Sequence, residues 1–510
     1  MLNLNNALNF DDFYKVLFEN EKIELGKESE SRITESFEFL KDFSRNKIIY
    51  GVNTGFGPMA QYKINDEDKI KLQLNLIRSH ASGAGDLMQP DYVKALMLAR
   101  LNTLCLGKSG IHKSVALSLI ELINNNITPV IFEHGGVGAS GDLVQLAHLA
   151  LVLVGEGEVI YKGKRRDTVS VFQELGIKPA EIKIREGLAV MNGTSAMTGI
   201  GIVNLIYSKR LLKWAVFCSS VINEIVQAYD DHLSEELNSA KLHPGQQKIA
   251  KVMRKHLSDS KLTRDRNDHL YSNGADKNTF FKEKVQEYYS LRCVPQILGP
   301  VSDTLDHSLK ILLEEVNSAN DNPIIDVKTE HVYHGGNFHG DYVSLEMDKL
   351  RLAITKTSML AERQLNYLLN AKLNDILPPF VNMGTLGLNF GMQGAQFTAV
   401  STTAENQMLS NSMYVHSIPN NNDNQDIVSM GANSANMTKK VIENSFEVLS
   451  TELATIIQAL YYLDFDDKLS SATKQRLEEL RKIIPQVQED RPLYKEISEL
   501  KEYLRNNEAY

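Results

Sequence analysis

Long apolar stripes at helical spacing in the second half of the chain limit most strongly how it can fold. From Leu350 the apolar positions run Leu350, Ile354, Met359, Leu360, Leu365, Leu368 and Leu369. That is close to the i, i+4, i+8 rhythm that keeps one helix face apolar, and it predicts a helix of roughly thirty residues from Tyr342. Lys440–Tyr462 repeats the pattern with Val441, Val448, Leu449, Leu453, Ile456, Ile457 and Leu460. A third run follows Pro300 with Leu305, Leu309, Leu312, Leu313 and Val316, where Ser302 or Asp303 would cap the helix. Helices this long bury their stripes by lying side by side, so a bundle is expected. No stretch approaches the about 18 uninterrupted apolar residues of a membrane-crossing helix; even Leu146–Val154 is broken by His148.

Composition narrows the class. The 510 residues carry 55 Lys+Arg against 64 Asp+Glu, a formal net charge of −9. That leaves no general basic footprint for nucleic acid or an anionic membrane. The three cysteines, Cys105, Cys218 and Cys293, are far apart and form no CxxC pair, so neither a disulfide framework nor a zinc–thiolate site is expected. The start, MLNLNNALNFDDFYKVL, has no basic segment followed by an apolar run. No export signal is expected, and the chain reads as a cytoplasmic enzyme.

Residues 1–200 read differently. Strand-like pieces (Thr128–Phe132, Glu158–Tyr161) alternate with glycine-rich turns at 51–57, 82–85 and 135–141. Several such turns in one region suggest a built site. A polar stretch, Ser258–Lys277, reads as a surface loop. Gly136-Val-Gly138-Ala-Ser-Gly141 fits the dinucleotide pattern G-x-G-x-x-G, between a strand piece and an apolar helix (142–154), with Glu158 about twenty residues on. This motivates a nicotinamide-dependent oxidoreductase. Against it, the acid should end a second parallel strand, whereas Glu158 opens one. The same cluster permits another chemistry. If the loop bends sharply, the Gly141 nitrogen can attack the Ala139 carbonyl carbon, since no Cβ obstructs it. Loss of one water from the ring and one from the Ser140 side chain leaves an exocyclic C=CH₂, an electrophile made from backbone. His331, His334 and His339 show an H-x2-H-x4-H spacing that suggests a metal. Two glycines break any helix that would align them, so no metal is expected.

FEHGGVGASGDLVQLAHLAL (132–151) resembles the active-site loop of the aromatic amino acid ammonia-lyase family. IYGVNTGFG (49–57), NLIRSHASGAG (75–85), NGTS (192–195), QEYYSLRCVPQILG (286–299), NSANDNP (317–323), GGNFHG (335–340) and NQDIVSMG (424–431) follow in family order. The resemblance implies a mostly α fold: an N-terminal catalytic domain at 1–200, a long central helical bundle at 201–465 and a helical tail at 466–510 packed on it. It implies a 4-methylidene-imidazol-5-one (MIO) ring from Ala139, Ser140 and Gly141, without metal or pyridoxal phosphate. It also implies a homotetramer whose sites are shared between subunits.

By the same resemblance, Tyr50 is the base that removes the β-proton. A phenol ordinarily titrates near 10, so a site using one must stabilise its phenolate. Arg292 matches the residue holding the substrate carboxylate, Asn322 its partner, and Asn192 a donor to the ring carbonyl. Tyr289, Gln425, Gly57 and Phe338 match further site residues, and Asp142 assists ring formation. Taken singly these residues read as loop aromatics, ion-pair partners and turn or cap residues; their joint order carries the assignment.

Ser79-His80 sits where the family tunes its ring-binding end. A histidine there can hydrogen-bond a phenol and reject a substrate without one. Histidine ammonia-lyases also carry Ser-His, and Glu405 could face an imidazole. Those enzymes, however, read Gln-Glu-Asp-His where this chain has Asn424-Gln425-Asp426-Ile427, and proline where it has Tyr288. The strings look most like bacterial tyrosine ammonia-lyases. L-tyrosine is therefore the expected substrate and trans-p-coumarate the product. A histidine ammonia-lyase is the alternative, then a 2,3-aminomutase that re-adds ammonia at Cβ. Ring closure expels two waters, so the intact chain should weigh about 36 Da less than its sequence mass. An unmodified mass with tight NAD binding would favour the oxidoreductase.

Overall fold

The apolar stripes do fold as helices. The computed structural model describes residues 1–271, 281 and 284–510, and is 60% helical. Numbered in chain order, the helices used below are α1 (Lys69–His80), α2 (Pro90–Cys105), α3 (Leu143–Leu153), α4 (Glu186–Met191), α5 (Ser195–Ile225), α6 (Pro244–Leu257), α7 (Val294–Val316), α8 (Asp341–Leu369), α9 (Gln393–Leu409), α10 (Gly431–Leu463) and α11 (Ser471–Ile483). The stripe residues Leu350, Ile354, Leu365, Val441, Leu453 and Ile457 are all buried.

α7 departs from expectation. Neither Ser302 nor Asp303 caps it; it starts at Val294 and carries Pro300 inside. In the second turn a proline removes one ladder bond, to the Gln296 carbonyl. Gly299 next to it admits the backbone at the start of α6: a Cβ there would sit 2.6 Å from the Gln246 amide nitrogen. The helix thus runs from Val294 through its proline and meets α6 closely at Gly299.

The described residues form two compact units. The first comprises Met1–Ile206, Ser308–Asp348 and Ser412–Lys439; the second comprises Tyr207–His307, Lys349–Asn411 and Lys440–Tyr510. This division differs from the sequential ranges 1–200, 201–465 and 466–510, because its boundaries fall inside α5, α7, α8 and α10.

In the first unit, Thr128–Phe132 is not one strand. Five short strands are relevant: β1 (Ala84–Leu87), β2 (Thr128–Pro129), β3 (Phe132–His134), β4 (Glu158–Tyr161) and β5 (Lys164–Asp167). β1 pairs antiparallel with β3. β2 pairs antiparallel with β4 in the register Thr128↔Ile160 and Pro129↔Val159, and β4 with β5. A dinucleotide fold needs a parallel pair at this point, so the sheet overturns the nucleotide reading of the glycine cluster. α2 is buried over its whole length from Tyr92 to Cys105, which is why no stripe marks it in the sequence.

Two buried ionic groups fix the first unit's distant segments. Arg185, just before α4, pairs with Asp321 at 2.8 Å, both side chains 0% exposed. Its guanidinium also donates to the Ser109 carbonyl and, at 2.9 Å, to the Asn322 carbonyl. Asp348 accepts from Ser412 Oγ, the Met413 and Tyr414 amides and Ser434 Oγ at 2.6–2.9 Å, which ties residues 412–414 to the ends of α8 and α10.

In the second unit, Glu224 accepts from the Ser470 amide and Thr473 Oγ1 at the start of α11, and Trp214 Nε1 donates to the Asn507 carbonyl at 2.9 Å. Of the polar stretch 258–277, residues 258–271 form turns and a π-helical segment, Asn267–Tyr271; 272–277 lie outside the described residues. No helix among the described residues is long and apolar enough to cross a membrane.

Breaking a buried pair strands its partner charge. Asp321→Ala should therefore cost about 3–5 kcal/mol, read as a fall in the urea midpoint at fixed protein concentration.

Candidate active site

The 135–141 glycines serve a close backbone contact. Gly141 has φ +75°, a left-handed conformation that favours glycine. A Cβ there would overlap the Gly193 carbonyl oxygen. The segments pair across Gly141↔Gly193, and the Asp142 amide donates to that carbonyl at 2.8 Å. Opposite, Ser429 Oγ donates to the Gly138 carbonyl at 3.0 Å and the Met430 amide to the Val137 carbonyl at 3.0 Å. Ala139 packs against Val428 and Met430.

Ser140 sits between two side-chain donors. Asn192 Nδ2 donates to its carbonyl oxygen at 2.9 Å, and Gln425 Nε2 to its hydroxyl at 2.9 Å. Asp142 is fully buried and accepts from the Met197 amide at 2.8 Å at the start of α5. Burial pushes its carboxyl up to about 7, against the pull of the Met197 and Ala196 amides.

A cavity of about 530 Å³ opens over Ser140 and brings together Tyr50, Gly57, Ser79, His80, Asn192, Asn322, Phe338 and Gln425. α1 presents one face to it, Leu72, Asn75, Leu76, Ser79 and His80, at the spacing that shares a helix side. His80 Nδ1 lies 3.0 Å from the Leu76 carbonyl and 3.0 Å from Ser79 Oγ. A carbonyl only accepts, so Nδ1 carries a proton, and in the neutral form of the ring Nε2 is left as an acceptor. The Gly57 amide donates to Tyr50 Oη at 3.0 Å, a bond that remains favourable when the oxygen is charged. Asn322 Oδ1 accepts from the Gly335 amide at 2.8 Å.

Tyr289, Arg292 and Glu405 belong to the second unit and are not among the residues lining this cavity. Arg292 Nε donates to the Glu287 carbonyl at 2.9 Å, and its guanidinium lies 4.7 Å from the Tyr289 ring centroid. Both line a separate cavity of about 620 Å³ with Arg363 and Tyr367. Glu405, on α9, accepts from Asn444 Nδ2 at 2.6 Å.

Sequence reasoning misses Ser429, Asn421 and Leu188, and reads Asn424 only as part of a discriminating string although it lines the cavity. Asn421, Asn422 and Asp423 form a left-handed run (φ +55°, +51°, +57°) that turns the chain into Gln425. The Asn420–Asn424 string, rich in residues that tolerate this conformation, is the available signal. Of the three motif histidines, His331 stacks edge-on with Tyr333 at 4.7 Å, while His339 Nδ1 lies 3.4 Å from the Asp341 carboxylate.

Comparison with known proteins gives the family. A family model described as aromatic amino acid lyase matches residues 8–482. The chain is 42% identical over 451 residues to a tyrosine 2,3-aminomutase of Chondromyces crocatus, covering 88% of this chain and 85% of the relative. It is 37% identical over 500 residues to a histidine ammonia-lyase of Bacillus subtilis, covering 98% and 95%. The solved tyrosine aminomutase of Streptomyces globisporus superposes with a TM-score of 0.95 at 34% identity, over 99% of this chain and 96% of that one. The ordered motifs, the helical fold and these full-length matches show that the chain belongs to the aromatic amino acid lyase family.

Proposed function

We propose that the protein eliminates ammonia from L-tyrosine to give trans-p-coumarate, using an MIO ring closed from Ala139, Ser140 and Gly141. The residues present fit that ring. Gly141 leaves its nitrogen free of a Cβ, the loop is pinned at Val137 and Gly138, and two amide donors meet Ser140. The ring supplies an electrophilic carbon that takes up the substrate amine and makes it a leaving group. The observation that carries the reading is the convergence of Tyr50, His80, Asn192 and Gln425 on one cavity around Ser140.

Each residue then has a task. Tyr50 takes the β-proton, with the Gly57 amide on its oxygen. Asn192 holds a donor against the oxygen of Ser140, where negative charge develops. Leu72, Leu76 and Phe338 give the substrate ring an apolar enclosure. Nε2 of His80 accepts the phenol proton. Asn322 and Arg292 hold the carboxylate. Because Tyr289, Arg292 and Glu405 are not among the residues lining the Ser140 cavity, we assign them to the site of a neighbouring copy in a homotetramer.

Tyrosine is favoured over histidine by Asn424-Gln425-Asp426-Ile427 and by similarity to an enzyme named for tyrosine. A second reading is a tyrosine 2,3-aminomutase, supported by the 42% identity to one; it would return the amine to Cβ.

Tyr50→Phe should lower kcat by about 10²–10⁴-fold while KM changes little, since a proton acceptor is removed and the aromatic ring stays. Unchanged kcat would remove Tyr50 from the base role. Separate incubations with L-tyrosine, L-histidine and L-phenylalanine, followed by acrylate absorbance, should show coumarate forming fastest. Faster urocanate would overturn tyrosine, and β-tyrosine accumulating in place of coumarate would establish the aminomutase. His80→Phe should shift preference toward phenylalanine.

A further inference from the structure

Beneath the Ser140 loop lies a charged side chain that the proposed elimination does not use. Arg100 sits on the fully buried helix α2 and is itself 0% exposed. Its Nη1 donates to the Asn192 main-chain oxygen at 2.7 Å. Its Nε and Nη2 are buried without a hydrogen-bond partner. Burial lowers the guanidinium to about 10, with Asp321 and Asp142 pulling the other way, so it remains a cation at neutral pH. A buried cation with two nitrogens unsatisfied is a costly way to fill space. An apolar side chain would pack there at lower cost, unless the one bond it makes matters.

That bond falls on the residue whose side chain meets Ser140. Asn192 ends α4, a helix of six residues, too short to hold its own geometry. Arg185 anchors the start of α4 through Asp321 and Asn322. Arg100 anchors its end. The fit is close enough that a Cβ on Gly193 would overlap Arg100 Nη1 and stand 2.6 Å from the Asn320 carbonyl oxygen. Thr194, the next residue, is tied to Glu315 and Asn320. The 192–194 segment is therefore gripped from below by Arg100 while it grips the 140–142 backbone above.

We infer that Arg100 is a positioning residue: by holding the Asn192 main-chain carbonyl, it keeps the Asn192 side-chain amide on the Ser140 carbonyl oxygen. This operates while the loop closes its ring and again during turnover, and it rests on the proposed ring chemistry.

The test combines intact-mass spectrometry with steady-state kinetics, using whichever of the three amino acids turns over. Arg100→Met should keep the wild-type circular dichroism spectrum, yet fewer than about half its chains should show the two-water loss. Its kcat should fall at least about tenfold with KM within about threefold, because a donor to developing charge is misplaced while the groups that bind the substrate stay in position. A fully cyclised Arg100→Met chain with kcat within about twofold of wild type would overturn the inference. If Arg100→Met does not fold, Arg100→Lys is combined with Asn192→Ala. The loss caused by Arg100→Lys should vanish in the Asn192→Ala background, whereas losses that multiply independently would overturn it. A wild-type chain of unmodified mass would tell against the ring itself, a separate failure.

Discussion

The backbone contact between Gly141 and Gly193 is the constraint on which the rest of the site depends. Two chain segments far apart in sequence meet with no room for a side chain between them. The contact puts Asn192 within reach of Ser140 and lets the Asp142 amide bond the Gly193 carbonyl. It also drives the Asp142 carboxylate into the start of α5, where it accepts the Met197 amide. Helix N-termini favour negative charge, yet full burial opposes it, and the carboxyl rises to about 7. Burial thus weakens the charge of a carboxyl that adjoins Ala139-Ser140-Gly141.

Two buried arginines support this contact in different ways. Arg185 is paired with Asp321 and also donates to two carbonyls, so its charge is well compensated. Arg100 makes one hydrogen bond and leaves two nitrogens unmatched. Buried ion pairs often add little net stability compared with a well-packed apolar group. Their presence at both ends of a six-residue helix is better understood as fixing a geometry than as strengthening a core.

What the sequence discloses follows from how each element is buried. Helices α8 and α10 carry polar residues between their buried apolar ones, so their stripes are visible even though residues 448–460 of α10 are buried on every side. α2 is enclosed on all sides, and its only signals are a starting proline and an unbroken buried run. The start of α7 is misread because Pro300, which suggests a helix start, lies in the second turn of a helix that begins at Val294. The glycine cluster announces an unusual backbone, but two chemistries fit its pattern. Only strand direction, a property of pairing rather than composition, removes one. Eight of the site residues named from the ordered motifs do line one cavity with Ser140. The supports beneath them, Arg100 and Ser429, lie in apolar or serine-containing strings with nothing locally to distinguish them.

Ser79 and His80 are held quite differently from the tripeptide. Their hydrogen bonds run to the Leu76 carbonyl one turn back and to each other, whereas Ser140 is bonded from residues 52 and 285 positions away. Exchanging the pair would sever these local bonds and no long-range side-chain hydrogen bond among the described residues. The two ends of the cavity are therefore held independently of each other. One rests on a backbone contact with no room for a side chain; the other lies at the last turn of a helix, with Ser79 exposed and His80 half-buried. Side chains at that helix end can be exchanged while the backbone contact at the other end of the cavity stays closed.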